Sequence, residues 1–186
     1  GAFGKVNTVG VNNMAYWFYG DTSFNEDISG WNTSQVTDMS GMFQGATSFN
    51  QVVNEWDTAA VTNMADMFNG ATAYDSHMWK WNTSKVTDMN NMFKDASTFN
   101  GFVDTDPAAN QWDVSGVTNM SGMFAGAATF NQTLAYWDPK SVSSMNSMFQ
   151  GATTFNQVVS TWNTSKVSDM NSMFKNASVF KKMMRF

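Results

Sequence analysis

The chain has no cysteine, one leucine, one histidine and no excess of positive charge. Each absence closes a class of chemistry. Without cysteine there are no disulfides, no thiolate metal sites and no cysteine nucleophile, and the compartment stays open because a stacked array needs no staples. A net charge of −5 with no basic stripe argues against nucleic-acid binding. No apolar run reaches the roughly 18 residues that a membrane-spanning helix requires. The chain opens on Gly1, and no targeting segment is visible in it. No P-loop and no metal-ligand cluster occurs, and the lone His77 has no triad partner, so no enzyme, cofactor or metal site is expected.

What the sequence does contain is a period. Trp31, Trp56, Trp81, Trp112, Trp137 and Trp162 fall 25, 25, 31, 25 and 25 residues apart, and Val11, Val36, Val61, Val86, Val117, Val142 and Val167 follow the same ruler. Between them runs V-x-x-M-x-x-M-F-x-x-A-x-x-F-N, as in Val86 to Asn100. A unit this short cannot bury its own apolar face, so repetition implies stacking. One domain over residues 1–186 is expected, with coils starting near 6, 31, 56, 81, 112, 137 and 162 and an insertion within 101–111.

Met39, Met42, Phe43 and Ala46 lie at i, i+3, i+4 and i+7, the spacing of one helical face. A hydroxyl precedes each such run (Thr37, Thr62, Thr87, Thr118, Ser143, Ser168) and suits an N-cap. Gly20, Gly45, Gly70, Asp95, Gly126, Gly151 and Asn176 suit a left-handed stop. Ile28, Val53, Met78, Leu134 and Val159, three residues before each tryptophan, read as inward slots of short parallel strands. The expected fold class is therefore α/β: a right-handed, leucine-rich-repeat-like solenoid with one short strand and one short helix per coil, seven helices in all. Strands would line a concave face, because paired strands sit closer together than packed helices. The methionines read as core packing, and the asparagines after the second Phe as occupants of tight corners.

The residues Trp81-Asn82-Thr83-Ser84-Lys85-Val86-Thr87-Asp88-Met89, then Met92-Phe93, Ala96 and Phe99-Asn100, resemble the BspA-like surface-protein repeat, a leucine-rich-repeat relative. The resemblance covers essentially the whole chain. It implies a cell-surface or extracellular interaction protein with no catalytic residues. Leu134 as sole leucine departs from ordinary leucine-rich repeats.

Candidate contact residues lie where the pattern breaks. The insertion carries Asp104 and Asp106, read as a binding loop or a tolerated surface excursion; the glycine and terminal glutamate of a calcium loop are missing. His77 and Trp79 flank inward Met78 and would point outward, as a partner anchor or as a ring lying over its neighbours. Tyr16 and Tyr19 bracket Trp17, which holds a Met slot; they cap an open end or form a contact patch. Lys181, Lys182 and Arg185 either guard an edge or dock an acidic partner. A threonine ladder through Thr33, Thr58, Thr83 and Thr164 brings ice binding to mind, but Val114 and Pro139 interrupt it. The expected function is a non-enzymatic interaction or adhesion module for a protein or glycan. The alternative is a structural peripheral subunit or spacer in a larger assembly, in an organelle lumen or on a membrane complex.

Overall fold

The computed structural model describes residues 2–103 and 112–181. Its regularity lies between repeats rather than within them. Parallel bridges join the same slot of successive units: Asn13 to Asp38, Asp38 to Asn63, Asn63 to Asp88, Asp88 to Asn119, Asn119 to Ser144 and Ser144 to Asp169. Each unit is thus one rung, and the rungs are stacked in sequence order.

The expected α/β architecture with seven helices is overturned. Among the described residues the only helical element is a 3-10 turn, Phe3–Lys5, and the bridges are isolated rather than parts of strands. The methionine segment is a run of tight turns. Met42, Gln44 and Ala46 donate backbone hydrogen bonds to Met39, Gly41 and Phe43, each three residues back. The alternate N–H groups leave the rung entirely: Met39, Gly41, Phe43 and Gly45 donate to the carbonyls of Asn63, Ala65, Met67 and Asn69 at 2.7–3.0 Å. An α-helix would need those groups for its own i−4 bonds.

Two left-handed residues per rung enforce the choice. Gly41 and Gly45 have φ of 59° and 73°, and Asn91 and Asp95 have 53° and 56°. A left-handed residue cannot continue a right-handed helix, but it fits the third position of a type II turn. The expected stop slot is left-handed but ends no helix, and a second left-handed slot (Tyr16, Gly41, Asp66, Asn91, Gly122, Ser147, Ser172) precedes it in every rung. The hydroxyl slot is not an N-cap. Thr62 and Thr87 each use both N–H and hydroxyl to bond the threonine carbonyl one rung earlier. Among the described residues there is no sheet, so the expected strand-lined concave face is overturned as well.

Side chains repeat at the same rise. Met39, Met42, Phe43, Ala46, Phe49, Val53 and Trp56 are buried, as are their counterparts through the middle rungs. Phe43 and Phe49 stack within a rung at 3.9 Å, and Phe43 meets Phe68 of the next rung at 5.4 Å. Trp31 to Trp56 to Trp81 to Trp112 step at 6.4 Å with planes within 6°. These are offset stacks, the arrangement the ring quadrupole favours. Most of the ladder indoles also find an acceptor in the slot residue one rung back: Trp56 Nε1 donates to Ile28 at 3.2 Å and Trp81 Nε1 to Val53 at 2.9 Å, whereas the buried Trp137 Nε1 has no partner. Phe3 accepts from Trp31 in the same way, so it holds the slot of Ile28.

Polar columns complete the ladder. Thr33, Thr58 and Thr83 are buried, and their hydroxyls donate to the carbonyls of Asp57, Asn82 and Asp113. These three face inward and offer no surface to ice, while Thr164 on the last described rung is exposed. The side chain of Asn25 accepts from Asn50 N–H, Asn50 from Asp75, Asp75 from Asn100, and so on to Lys181. The corner asparagines thus tie one rung to the next as well as filling a turn.

Candidate functional site

The inward slot column has an outward counterpart one residue earlier: Asp27, Val52, His77, Phe102, Thr133 and Val158. A polar residue is the expectation for such a position, yet Val52 is 59% exposed and Phe102 43% exposed. His77 lies between them in the stacking order. Its ring centroid is 4.6 Å from that of Phe102, and its Nδ1 accepts the Phe102 N–H at 3.2 Å. Met78 donates to the Phe102 carbonyl, so these two rungs are also laced through the backbone.

Local sequence explains the closeness. In other rungs a glutamine here reaches back one rung: Gln51 Nε2 bonds the carbonyl of Asn25, and Gln132 Nε2 that of Asn100. Ser76 and Gly101 replace it in the two rungs that carry His77 and Phe102. A Cβ on Gly101 would overlap the Ser76 carbonyl oxygen and crowd the Phe99 ring. Glycine is needed there for the chain to approach.

Trp79 lies two residues beyond His77 and is 37% exposed. Lys80 Nζ stands 5.2 Å from its ring centroid and pairs with Glu55 one rung earlier. The Trp79 ring is therefore held by a cation while one part stays open to solvent. Lys80 N–H donates to the buried side chain of Asn54, which fixes the local backbone. His77 and Trp79 are exposed on either side of buried Met78; Phe102 lies against His77, and Lys80, paired with Glu55, stands over Trp79. Phe102 was legible by period, since it stands 25 residues after His77.

The other candidates lie elsewhere. Tyr16 and Tyr19 are 55% and 62% exposed and meet edge-on at 6.0 Å on the turn column of the first rung. Tyr16 lies over Gly41, where any Cβ would strike its ring. Trp17 is 42% exposed, not buried like the methionines of its slot, because no described rung covers it. Lys181 is exposed, its N–H bonded to the Asn156 side chain. Asp104, Asp106, Lys182 and Arg185 lie outside the described residues. Val103 takes the buried slot, so the six additional residues expected within 101–111 fall between it and Trp112.

A concavity of about 430 Å³ lies on the turn column, lined in part by Asn91, Lys94, Asp95, Asn146 and Gln150. Its floor is glycine: a Cβ on Gly122 would strike the Asn91 side chain, and one on Gly126 the Asp95 carboxyl. Among the described residues no group of three histidines or carboxylates is placed to hold a metal ion, and no helix is long and apolar enough to cross a membrane.

Rungs of one composition, each bonded to the next, define a repeat protein. It belongs to the family described as Mycoplasma protein of unknown function, DUF285, whose model matches residues 1–106 and again residues 99–185. No curated protein matches the chain.

Proposed function

We propose that this chain is a non-enzymatic interaction module that binds a protein or glycan through the outward face of its second to fourth rungs. The observation that carries this reading is the exposed row Val52, His77 and Phe102, with Trp79 beside it and the Lys80–Glu55 pair at its rim. Aromatic anchors within a charged margin are the usual composition of an energetic hot spot. The stacked core behind them costs little reorganisation on binding. Resemblance to BspA-like repeats supports a cell-surface or extracellular setting for that contact.

A photo-reactive side chain at position 52 should capture a partner in the native source, whereas one at Thr62, exposed on another face, should not. Trp79→Ala with Phe102→Ala should weaken that capture at least about tenfold, roughly 1.4 kcal/mol or more. Equal capture from both positions, or no loss in the double variant, would remove this face from consideration.

A structural role as a peripheral subunit is favoured by one further observation, the exposed Tyr16, Trp17 and Tyr19 of the first rung. In that case cross-links would map to the first rung, and the native particle would be far larger than the chain.

A further inference from the structure

Asparagine followed by glycine occurs twice in the chain, at Asn69-Gly70 and at Asn100-Gly101. That pair of residues carries a latent reaction. The glycine nitrogen can attack the side-chain carbonyl carbon of the asparagine, because no Cβ on the following residue stands in the way. The two copies lie in opposite surroundings.

At Asn69-Gly70 the attack is blocked. The Gly70 N–H donates to the Lys94 carbonyl at 2.7 Å, as one of the bonds between rungs. The Asn69 side-chain nitrogen donates to the Asp66 carboxylate at 2.8 Å, so a negative charge faces the group on which negative charge would have to develop.

At Asn100-Gly101 the nucleophile is free. Among the described residues the Gly101 N–H has no hydrogen-bond acceptor. The carbonyl of the same peptide unit, on Asn100, accepts from Gln132 Nε2 at 2.9 Å, which draws charge from the unit and eases loss of its N–H proton. The Asn100 side-chain oxygen accepts the Asn131 N–H at 2.9 Å. A backbone donor already seated on that oxygen stabilises the oxyanion that attack would form. Asn50, Asn131 and Asn156 share this corner column, but a glutamine follows each of them.

We propose that Asn100 is a self-modifying site, at which the Gly101 nitrogen displaces ammonia from the Asn100 side chain. The Gly101 N–H proton passes to solvent, and the nitrogen lone pair forms a bond to the side-chain carbon, closing a five-membered imide. The carbon–nitrogen bond of the carboxamide breaks, and its nitrogen takes up a proton and leaves as ammonia. Water then opens the imide at either carbonyl, giving aspartate or isoaspartate at position 100, so one water is consumed for each ammonia released. Asn100 is only partly buried, which lets both exchange with solvent. Either product sets a new carboxylate one rung from Asp75, whose side chain accepts the Asn100 N–H. The isoaspartyl product also lengthens the main chain by one carbon just before Gly101, where even a Cβ would overlap the Ser76 carbonyl oxygen. Phe102 comes next, so its contact with His77 is displaced. The reaction is a timer on the exposed face of these rungs, and it runs whether or not that face takes a partner.

The test is incubation of the intact chain in mildly alkaline buffer, with peptide mass mapping of amide-to-acid conversion. Asn100 should convert roughly tenfold faster than Asn69, about what one hydrogen bond held through the reaction adds to a barrier. In urea the two rates should converge. The single histidine gives a second readout. Its imidazole proton resonances, shifted by the Phe102 ring, should be joined by a second set that grows with the converted fraction. Asn100→Gln, whose ring closure would be six-membered and slower, should keep the first set alone. An Asn100 that stays intact or converts no faster than Asn69, histidine resonances unmoved by its conversion, or a second set that appears in Asn100→Gln would each overturn the proposal.

Discussion

The middle rungs and the outermost rungs are written in nearly the same residues, yet they are different materials. Phe93 and Phe149 are fully buried, while Phe174 in the same slot is only partly so; Met42 is buried, while Trp17 in its slot lies open. Composition cannot account for the difference, because the slot and the local turn are shared. What differs is the number of neighbouring rungs. Stability in this chain is a property of junctions, as expected for a one-dimensional array.

The largest break in that comparison should come from Phe93→Ala and Phe174→Ala measured side by side. The first removes a ring stacked on Phe68, Phe99 and Phe124 and should cost about 3–5 kcal/mol of unfolding free energy. The second should cost about half as much or less, because water already reaches its ring. Equal costs in urea titrations would show that the end rung is as well covered as the middle.

A smaller, opposite effect is expected at Tyr74. It stacks on Phe68 where other rungs carry phenylalanine, and its buried hydroxyl has no hydrogen-bond partner. Burial, with a lesser contribution from the Asp75 charge, pushes that hydroxyl well above the usual tyrosine range. Tyr74→Phe should stabilise by about 1–2 kcal/mol, whereas Phe180→Tyr at the edge should be nearly neutral, since its hydroxyl can reach water. Thermal unfolding of both variants decides this; destabilisation by Tyr74→Phe would mean that the hydroxyl has a partner in solution.

Smallest is an effect of charge. The bridge column reads Asn13, Asp38, Asn63, Asp88, Asn119, Ser144, Asp169, so no two carboxylates sit on adjacent rungs. At a rung spacing of about 4.8 Å, adjacent like charges at a partly wet surface repel appreciably. Asn63→Asp gains two acidic neighbours and should cost about 1 kcal/mol, reduced by salt. Asn13→Asp gains one and should cost about half of that. A salt-independent loss would point to the lost amide rather than to repulsion.

How much of this was legible depended on which question each residue answers. Spacing i, i+3, i+4, i+7 marks Met39, Met42, Phe43 and Ala46 as a buried group, but a short helix and a chain of tight turns bury the same group. The discriminating signal was Gly41, Asp66, Asn91 and Gly122, turn-formers placed between the two methionines, where a helix would have no use for them. Phe102 could have been paired with His77 by counting one period. Their closeness could not, since it depends on Gly101 lying against the Ser76 carbonyl. The two threonine columns were equally indistinct: Thr33 and Thr37 differ by four residues, yet one is buried and the other exposed.

By itself, then, the order of residues determined the period, the membership of each column and the apolar content of the interior, because those follow from which side chains recur together. Only the tertiary structure decided where the backbone N–H groups go. A segment about two turns long gains too little from its own hydrogen bonds to hold a helix. Once a neighbouring rung presents carbonyls at the matching rise, the bonds form between rungs instead, and the conformation of each unit becomes a consequence of the stack.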